Sequence, residues 1–125
     1  MAGKILRKGN NIMNNQIFGS PKSFDSKKAE RYFKERGIKY QLINMKEKGM
    51  SRGEFNSVKQ SVGDIDSMID PKCKNKDLLT LLKYLSETGK EEKVFENQEL
   101  ILTPIVRNGK NATIGYQPDV WKEWE

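Results

Sequence analysis

A strand, a helix and a second strand follow one another closely between residues 16 and 43. Residues 16–19 form a short apolar run that Gly19-Ser20-Pro21 ends, and helical spacing of apolar residues follows from about residue 23 to residue 36. Residues 38–43 form a second apolar run. Because a short crossover through one helix makes two strands parallel and the connection right-handed, these residues predict a βαβ unit.

The predicted first helix carries start and stop signals. Ser23 or Asp25 can cap its first turn, and Gly37 supplies the left-handed residue that ends it. One apolar face is formed by Ala29, Tyr32 and Phe33. These signals favour a helix that packs on the two strands.

The middle of the chain is predicted to be helical. Ser51 and Glu54 have the spacing of a capping box, so a helix is expected to start at Ser51. Residues 77–87 have leucines at helical spacing, and Gly89 is expected to close that helix.

The last third changes to the period of strands. Residues 99–102 and 104–107 are β-prone, and Asn108-Gly109 is a strong hairpin signal that leads into residues 110–114. Pro118 then starts a short helix. The order βαβ, helices, ββα predicts an α/β fold in which a four-stranded mixed sheet is flanked by helices.

The length of 125 residues fits one domain, which we expect over residues 15–125. Residues 1–14 are basic and rich in asparagine, and we expect a flexible N-terminal extension there. Two alternatives remain: Met13 is the natural start, or residues 4–7 form an extra edge strand.

The chain contains no histidine, and this excludes more chemistry than any other figure of its composition. Ser-His-Asp hydrolysis, Cys-His catalysis and histidine-containing zinc sites are excluded. The single cysteine, Cys73, excludes an internal disulfide and a multi-thiolate metal site. No apolar run can span a bilayer, so we expect a cytoplasmic protein. We also expect a monomer that binds no cofactor and no metal.

The net charge of +6 comes from 23 basic and 17 acidic residues, with both signs interspersed. The hypothesis of a basic face for an acidic protein or a nucleic acid rests on Lys22, Lys27, Lys28, Lys34, Lys39 and residues 72–76. Because no nucleic-acid motif accompanies these lysines, a solvated helix face is expected instead.

Three phrases add to the order of elements: Ile-Phe-Gly-Ser-Pro-Lys-Ser at residues 17–23 with Lys-Lys-Ala at 27–29, Gly-Ile-Lys-Tyr at 37–40, and residues 102–110 with 114–116. Together they resemble the arsenate reductase ArsC and Spx family over nearly all of the chain after residue 15. The resemblance implies a thioredoxin-like fold. It also implies a redox activity linked to glutathione or glutaredoxin for the reductases, and binding to RNA polymerase for the Spx-like members.

The same resemblance places serine at both cysteine positions. Ser23 stands where the family has its nucleophilic cysteine, and Ser26 where Spx-like members have the second cysteine of a switch. A serine hydroxyl needs an adjacent base, which this chain cannot supply as histidine. Asp25 in the first turn would also repel an oxyanion there.

The anion-binding arginines that the resemblance implies are missing as well. Thr103 replaces the arginine before Pro104, Lys72 lies near a second arginine position, and Tyr116 at or beside a third. The resemblance implies a cis peptide at Pro104, facing the first helix. Thr103, Pro104, Lys22, Lys72 and Tyr116 are therefore the candidate binding residues.

Cys73 is the remaining candidate for a reactive thiol, because Lys72 and Lys74 flank it. A packed, unreactive cysteine is the favoured alternative. The sequence thus predicts a protein that has lost thiol redox catalysis and acts through protein contacts. An oxidoreductase of the arsenate reductase or glutaredoxin type is the alternative, and a nucleic-acid-associated protein is a weaker one.

Overall fold

The computed structural model describes residues 15–124. The predicted N-terminal extension, its alternative start and the extra edge strand all lie outside these residues. A four-stranded mixed sheet forms the centre of the described chain, with strand order β2-β1-β3-β4. The strands are β1 (Asn15–Gly19), β2 (Gln41–Asn44), β3 (Ile105–Asn108) and β4 (Asn111–Ile114).

Helices flank this sheet, as predicted. They are α1 (Phe24–Glu35), α2 (Arg52–Val62), α3 (Lys76–Leu82), α4 (Glu87–Glu96) and α5 (Pro118–Lys122), with short 3-10 helices at Asp66–Met68 and Gln98–Leu100. None of the helices in the described part is long and apolar enough to cross a membrane.

The predicted βαβ unit is confirmed, because β1 and β2 are parallel and α1 connects them. Strand β2 begins only at Gln41, three residues later than the apolar run indicated. Ile38 and Tyr40 pack instead against the cluster under α1, so they extend the core before the ladder begins. The capping box at Ser51 and Glu54 and the hairpin at Asn108-Gly109 are also confirmed.

The prediction of one helix over residues 77–87 closed by Gly89 is wrong. Helix α3 ends at Leu82, and a new helix begins at Glu87 because Ser86 caps it. The Ser86 hydroxyl accepts a hydrogen bond from the backbone N–H of Gly89 at 3.1 Å, so Gly89 lies in the first turn of α4.

The β-prone run at residues 99–102 is not a strand. Leu100 belongs to a 3-10 helix, and Ile101 makes only an isolated antiparallel bridge with Ile69. Two backbone hydrogen bonds flank the bridge, from Leu102 N–H to Met68 O and from Asp70 N–H to Leu100 O, both 2.8 Å. The segment therefore pairs with the loop after the first 3-10 helix rather than with the sheet.

Two apolar clusters lie on opposite faces of the sheet. Successive residues of β1 face opposite clusters. Ile17 lies in the smaller cluster, under α1 and α5, and Phe18 lies in the larger cluster, under α2 to α4. Trp121 anchors the smaller cluster, and its indole N–H donates to the Thr113 hydroxyl at 2.7 Å. The carboxyl end of β1 and the start of α1 meet between these two cores.

Candidate functional site

The start of α1 carries Ser23, which the family resemblance places at the position of the nucleophile. Ser23 is the N-cap, with extended backbone angles, and its Oγ accepts from the N–H of Ser26 at 3.1 Å. The same hydroxyl donates to the carbonyl of Thr103 at 3.5 Å. Both bonds use the hydroxyl to hold the helix start, so Ser23 serves here as a helix cap.

Ser26 lies beneath the turn between β1 and α1. It is 5% exposed, and its Oγ accepts a hydrogen bond from the N–H of Ser20 at 3.2 Å. A Cβ atom at Gly19 would come within 2.9 Å of this oxygen, so only glycine fits beside it. Ser26 therefore fastens the turn to the helix.

The peptide bond between Thr103 and Pro104 is cis, as the resemblance implies. Thr103 is half-buried and faces the start of α1 through its bond with Ser23, whereas Pro104 is buried. The Pro104 carbonyl accepts from the N–H of Gly115 at 2.8 Å, which ties the segment to the end of β4. The structure thus brings Ser23, Ser26 and Thr103 together.

A cavity of about 660 Å³ opens beside this centre, with Ser20 and Thr103 on one wall. Its charged lining is one ammonium and three carboxylates: Lys46, Asp70, Glu96 and Glu99. Because like charges repel, this lining disfavours an oxyanion and favours a cation or a neutral group. The electrostatics are opposite to those of an anion-binding pocket.

The other predicted binding residues do not line this cavity. Lys22 and Lys72 are exposed and project no contact into it, although their backbone N–H groups bond Ser20 Oγ and Asp70 Oδ1. The Tyr116 ring packs edge-on against Trp121 with centroids 5.6 Å apart, and the Lys28 ammonium lies 4.6 Å from its centroid. Tyr116 is thus built into the contact between α1 and α5.

Cys73 lies in the larger core with 9% of its surface exposed. Its thiol donates to the carbonyl of Glu99 at 3.5 Å. In such a setting a cysteine packs as a small apolar side chain with a weak donor, which is the favoured sequence interpretation.

Sequence reasoning missed the acidic lining of the cavity. Glu96 ends α4, and Glu99 lies in the 3-10 helix where a strand was predicted. The available signal was a pair of acids at residues 96 and 99, three residues apart and shortly before the predicted Pro104 segment. Within residues 15–124, no cluster of His, Cys, Asp or Glu side chains could hold a metal ion.

Sequence reasoning also missed a set of hydrogen-bonded polar side chains at the start of α2. The Arg107 guanidinium donates to Gln16 Oε1 at 2.7 Å, and the Gln16 amide donates to Glu54 at 3.3 Å. Burial alone would raise the pKa of Glu54. The hydrogen bonds from Ser51 and Gln16 and the charge of Arg107 outweigh burial and lower that pKa.

No family model and no curated protein matches the chain. Solved structures do. An arsenate reductase from Vibrio cholerae is 27% identical with a TM-score of 0.76, covering 90% of this chain and 98% of its own. A putative ArsC family related protein from Bacteroides fragilis is 18% identical with a TM-score of 0.79, covering 92% and 100%. A putative arsenate reductase from Yersinia pestis is 23% identical with a TM-score of 0.74, covering 87% and 98%.

These similarities confirm the fold that the sequence resemblance implied. The chain has the thioredoxin-like fold of the ArsC-family proteins over nearly all of its described length. At the centre of that fold lie two hydrogen-bonded serines, a threonine before the cis proline, and an acidic cavity.

Proposed function

We propose that this ArsC-fold protein has lost thiol redox catalysis and acts by contact with another protein. The observation that carries the proposal is the state of Ser23: its hydroxyl caps α1 and bonds the Thr103 carbonyl. Within residues 15–124 both hydrogen-bond partners of this hydroxyl are backbone groups, and the chain contains no histidine to act as its base.

Electrostatics support the same proposal. An oxyanion substrate entering between Ser20 and Thr103 would meet the carboxylates of Asp70, Glu96 and Glu99, and Lys46 is the only cation that residues 15–124 contribute to that lining. A bidentate arginine matches an oxyanion in a way that one ammonium does not. Restoring a thiol alone would therefore leave the cavity hostile to arsenate.

The exposed surface beside Ser23 supports a role in protein contact. Phe24 is 79% exposed at the first position of α1, next to the residue that would carry the chemistry. Large exposed aromatics are favoured at protein interfaces. The resemblance to Spx-like proteins makes RNA polymerase the first partner to test, in a cytoplasmic setting and with a monomeric chain.

The test measures thiol-dependent reduction of arsenate and of a disulfide substrate by four proteins: wild type, Ser23→Cys, Ser23→Cys with Thr103→Arg, and Cys73→Ser. We expect wild type, Ser23→Cys and Cys73→Ser to stay at the uncatalysed rate for arsenate. The double variant regains both the thiol and one cation, so if any variant recovers turnover we expect it to be this one.

The alternative function is an oxidoreductase, and the 27% identity to a Vibrio cholerae protein described as an arsenate reductase favours it. Its only candidate thiol is Cys73. Robust turnover by the wild type that disappears in Cys73→Ser would establish the alternative and refute the proposal. Turnover that survives in Cys73→Ser would refute the Cys73 alternative, and it would also contradict the proposal that the protein acts by contact, because the chain would then catalyse reduction without a thiol.

A further inference from the structure

A groove of about 520 Å³ runs along one side of α3, away from the serines at the start of α1. Lys76, Leu79 and Thr80 of the helix and its C-cap Lys83 line the groove with the spacing i, i+3, i+4 and i+7. Such a spacing is one continuous face of a helix, two turns long. The groove is therefore an elongated surface.

The middle of the groove is apolar. Its apolar lining consists of Ile69, Pro71, Leu79 and Leu82, and Leu82 is only 3% exposed. Two further apolar side chains near this helix are exposed but do not line the groove: Leu81 is 41% and Tyr84 is 81% exposed. Exposed apolar surface of this kind, rimmed by polar groups, marks sites of protein contact.

The charges at the rim are cationic. Lys90 is neutralised, because its ammonium lies 3.1 and 3.3 Å from the two carboxylate oxygens of Asp66. Neither Lys76 nor Lys83 has an ion-pair partner within residues 15–124. These two lysines stand at the two ends of the face, about 10 Å apart along the helix axis at 1.5 Å per residue.

We propose that this groove binds an acidic segment of a partner protein. The segment places an apolar side chain in the groove and one carboxylate beside the lysine at each end. A helical segment with acids seven residues apart and leucines between them has the matching repeat. This inference rests on the proposed function, since it names the surface and the partner chemistry for protein contact. A nucleic acid fits less well, because the groove between the cations is apolar.

The probe is a rhodamine-labelled peptide that contains Glu-Ala-Ala-Leu-Leu-Ala-Ala-Glu, and binding is followed by fluorescence anisotropy. Two control peptides carry Gln in place of both acids, or Ser in place of both leucines. We expect the acidic peptide to bind more tightly at low than at physiological ionic strength, and both controls to bind at least about tenfold more weakly.

Two groove variants locate the binding. Lys76→Glu with Lys83→Glu reverses both rim charges, and its matched control is Lys110→Glu with Lys122→Glu, which changes the net charge equally at exposed positions. Thr80→Trp fills the groove without changing charge. We expect both groove variants to lower the affinity at least about tenfold, and the control pair to lower it by less than about threefold.

Several results would overturn the inference. They are no saturable binding of the acidic peptide, equal loss in the groove and control pairs, displacement of the peptide by a DNA duplex with tighter binding, or a dimer of wild type that Thr80→Trp dissociates. The last two would assign the groove to nucleic acid or to a second copy of this chain. Because these measurements do not involve reduction, their outcome is independent of the reductase test above.

Discussion

Tyr40 lies in the contact between α1 and the segment before β2. Its hydroxyl donates to Glu30 Oε1 at 3.1 Å, and its ring packs in the smaller core. Burial, followed by the hydrogen bond to Glu30 and the negative charge of that carboxylate, raises the pKa of Tyr40 to about 12.

The raised pKa predicts a loss of stability in alkali. Because the folded-state pKa exceeds the ordinary value of 10, the contribution of Tyr40 is complete below pH 10 and disappears as the pH rises towards 12. An absorbance titration of phenolate should contain a component with its midpoint at about 12, which Tyr40→Phe removes. Tyr84→Phe, at an exposed position, should leave that component in place. A Tyr40→Phe titration that still contains it would contradict the assignment.

Helix α2 is the element whose start depends on charge. The Ser51 hydroxyl accepts from Glu54 N–H at 3.2 Å, and the Glu54 carboxylate accepts from Ser51 N–H at 2.9 Å. Gln16 and Arg107 then connect this capping box to β1 and β3. The helix start is thus coupled to the centre of the sheet.

This arrangement predicts an acid-dependent stability. The folded-state pKa of Glu54 lies below its ordinary value of 4.5, so its contribution is complete above pH 4.5 and is lost as the pH falls through the folded value. Glutamine can occupy the same box but does not titrate. Urea unfolding should therefore show that Glu54→Gln loses less stability than wild type between pH 5 and pH 3. Glu47→Gln, on the exposed Lys46–Lys48 turn, is the control and should follow wild type; identical profiles for all three proteins would refute the role of Glu54.

The elements show which parts of the structure local sequence signals can predict. Strand β1, helix α1, the capping box and the hairpin at Gly109 were predictable, because their signals lie within a few residues of one another. The division between α3 and α4 was not, because the leucine spacing continues through Leu85 while the Ser86 cap starts a new helix. The pairing of residue 101 was not predictable either, because Ile101 bridges to Ile69, which is distant in the sequence, and not to a strand of the sheet.

One contact of the candidate site was predictable, whereas the surroundings of that contact were not. Ser23 and Thr103 lie in contact as the family resemblance implied, although 80 residues separate them. The acids of the cavity come from two separate stretches of the chain, residue 70 and residues 96–99, and no local pattern places Asp70 in the same cavity as Glu96. The acids come together because of the fold of the segment between α4 and β3, where a strand was wrongly predicted.

At the scale of the whole molecule, the net charge of +6 conceals two surfaces of opposite sign. The segment at residues 69–71 separates them, since Asp70 lines the acidic cavity while Ile69 and Pro71 line the groove with its free lysines. An average over the chain therefore says little about partners. The position of each charge on the fold decides which partner each surface can accept.

The two apolar cores share the strands of one sheet, and this predicts that they unfold together. In β3, as in β1, neighbouring residues face opposite cores: Ile105 the larger and Val106 the smaller. Trp121, 1% exposed, and Trp124 both pack in the smaller core, so tryptophan fluorescence reports on that core, and the circular dichroism of α2 to α4 reports mainly on the larger. Because loss of either core removes one face of the same strands, the two probes should give coincident urea transitions.

Val58→Ala tests this coupling from the larger core, where Val58 is fully buried on α2. We expect the free energy of unfolding to fall by about 2 kcal/mol, because the substitution removes buried methyl groups and leaves a cavity. The unfolding transitions followed by tryptophan fluorescence and by circular dichroism should shift by the same amount, although Val58 lies in the other core. Val120→Ala, on the exposed side of α5, is the control and should change stability by less than about 0.5 kcal/mol. A Val58→Ala transition that moves by circular dichroism alone would mean that the shared strands do not couple the two cores.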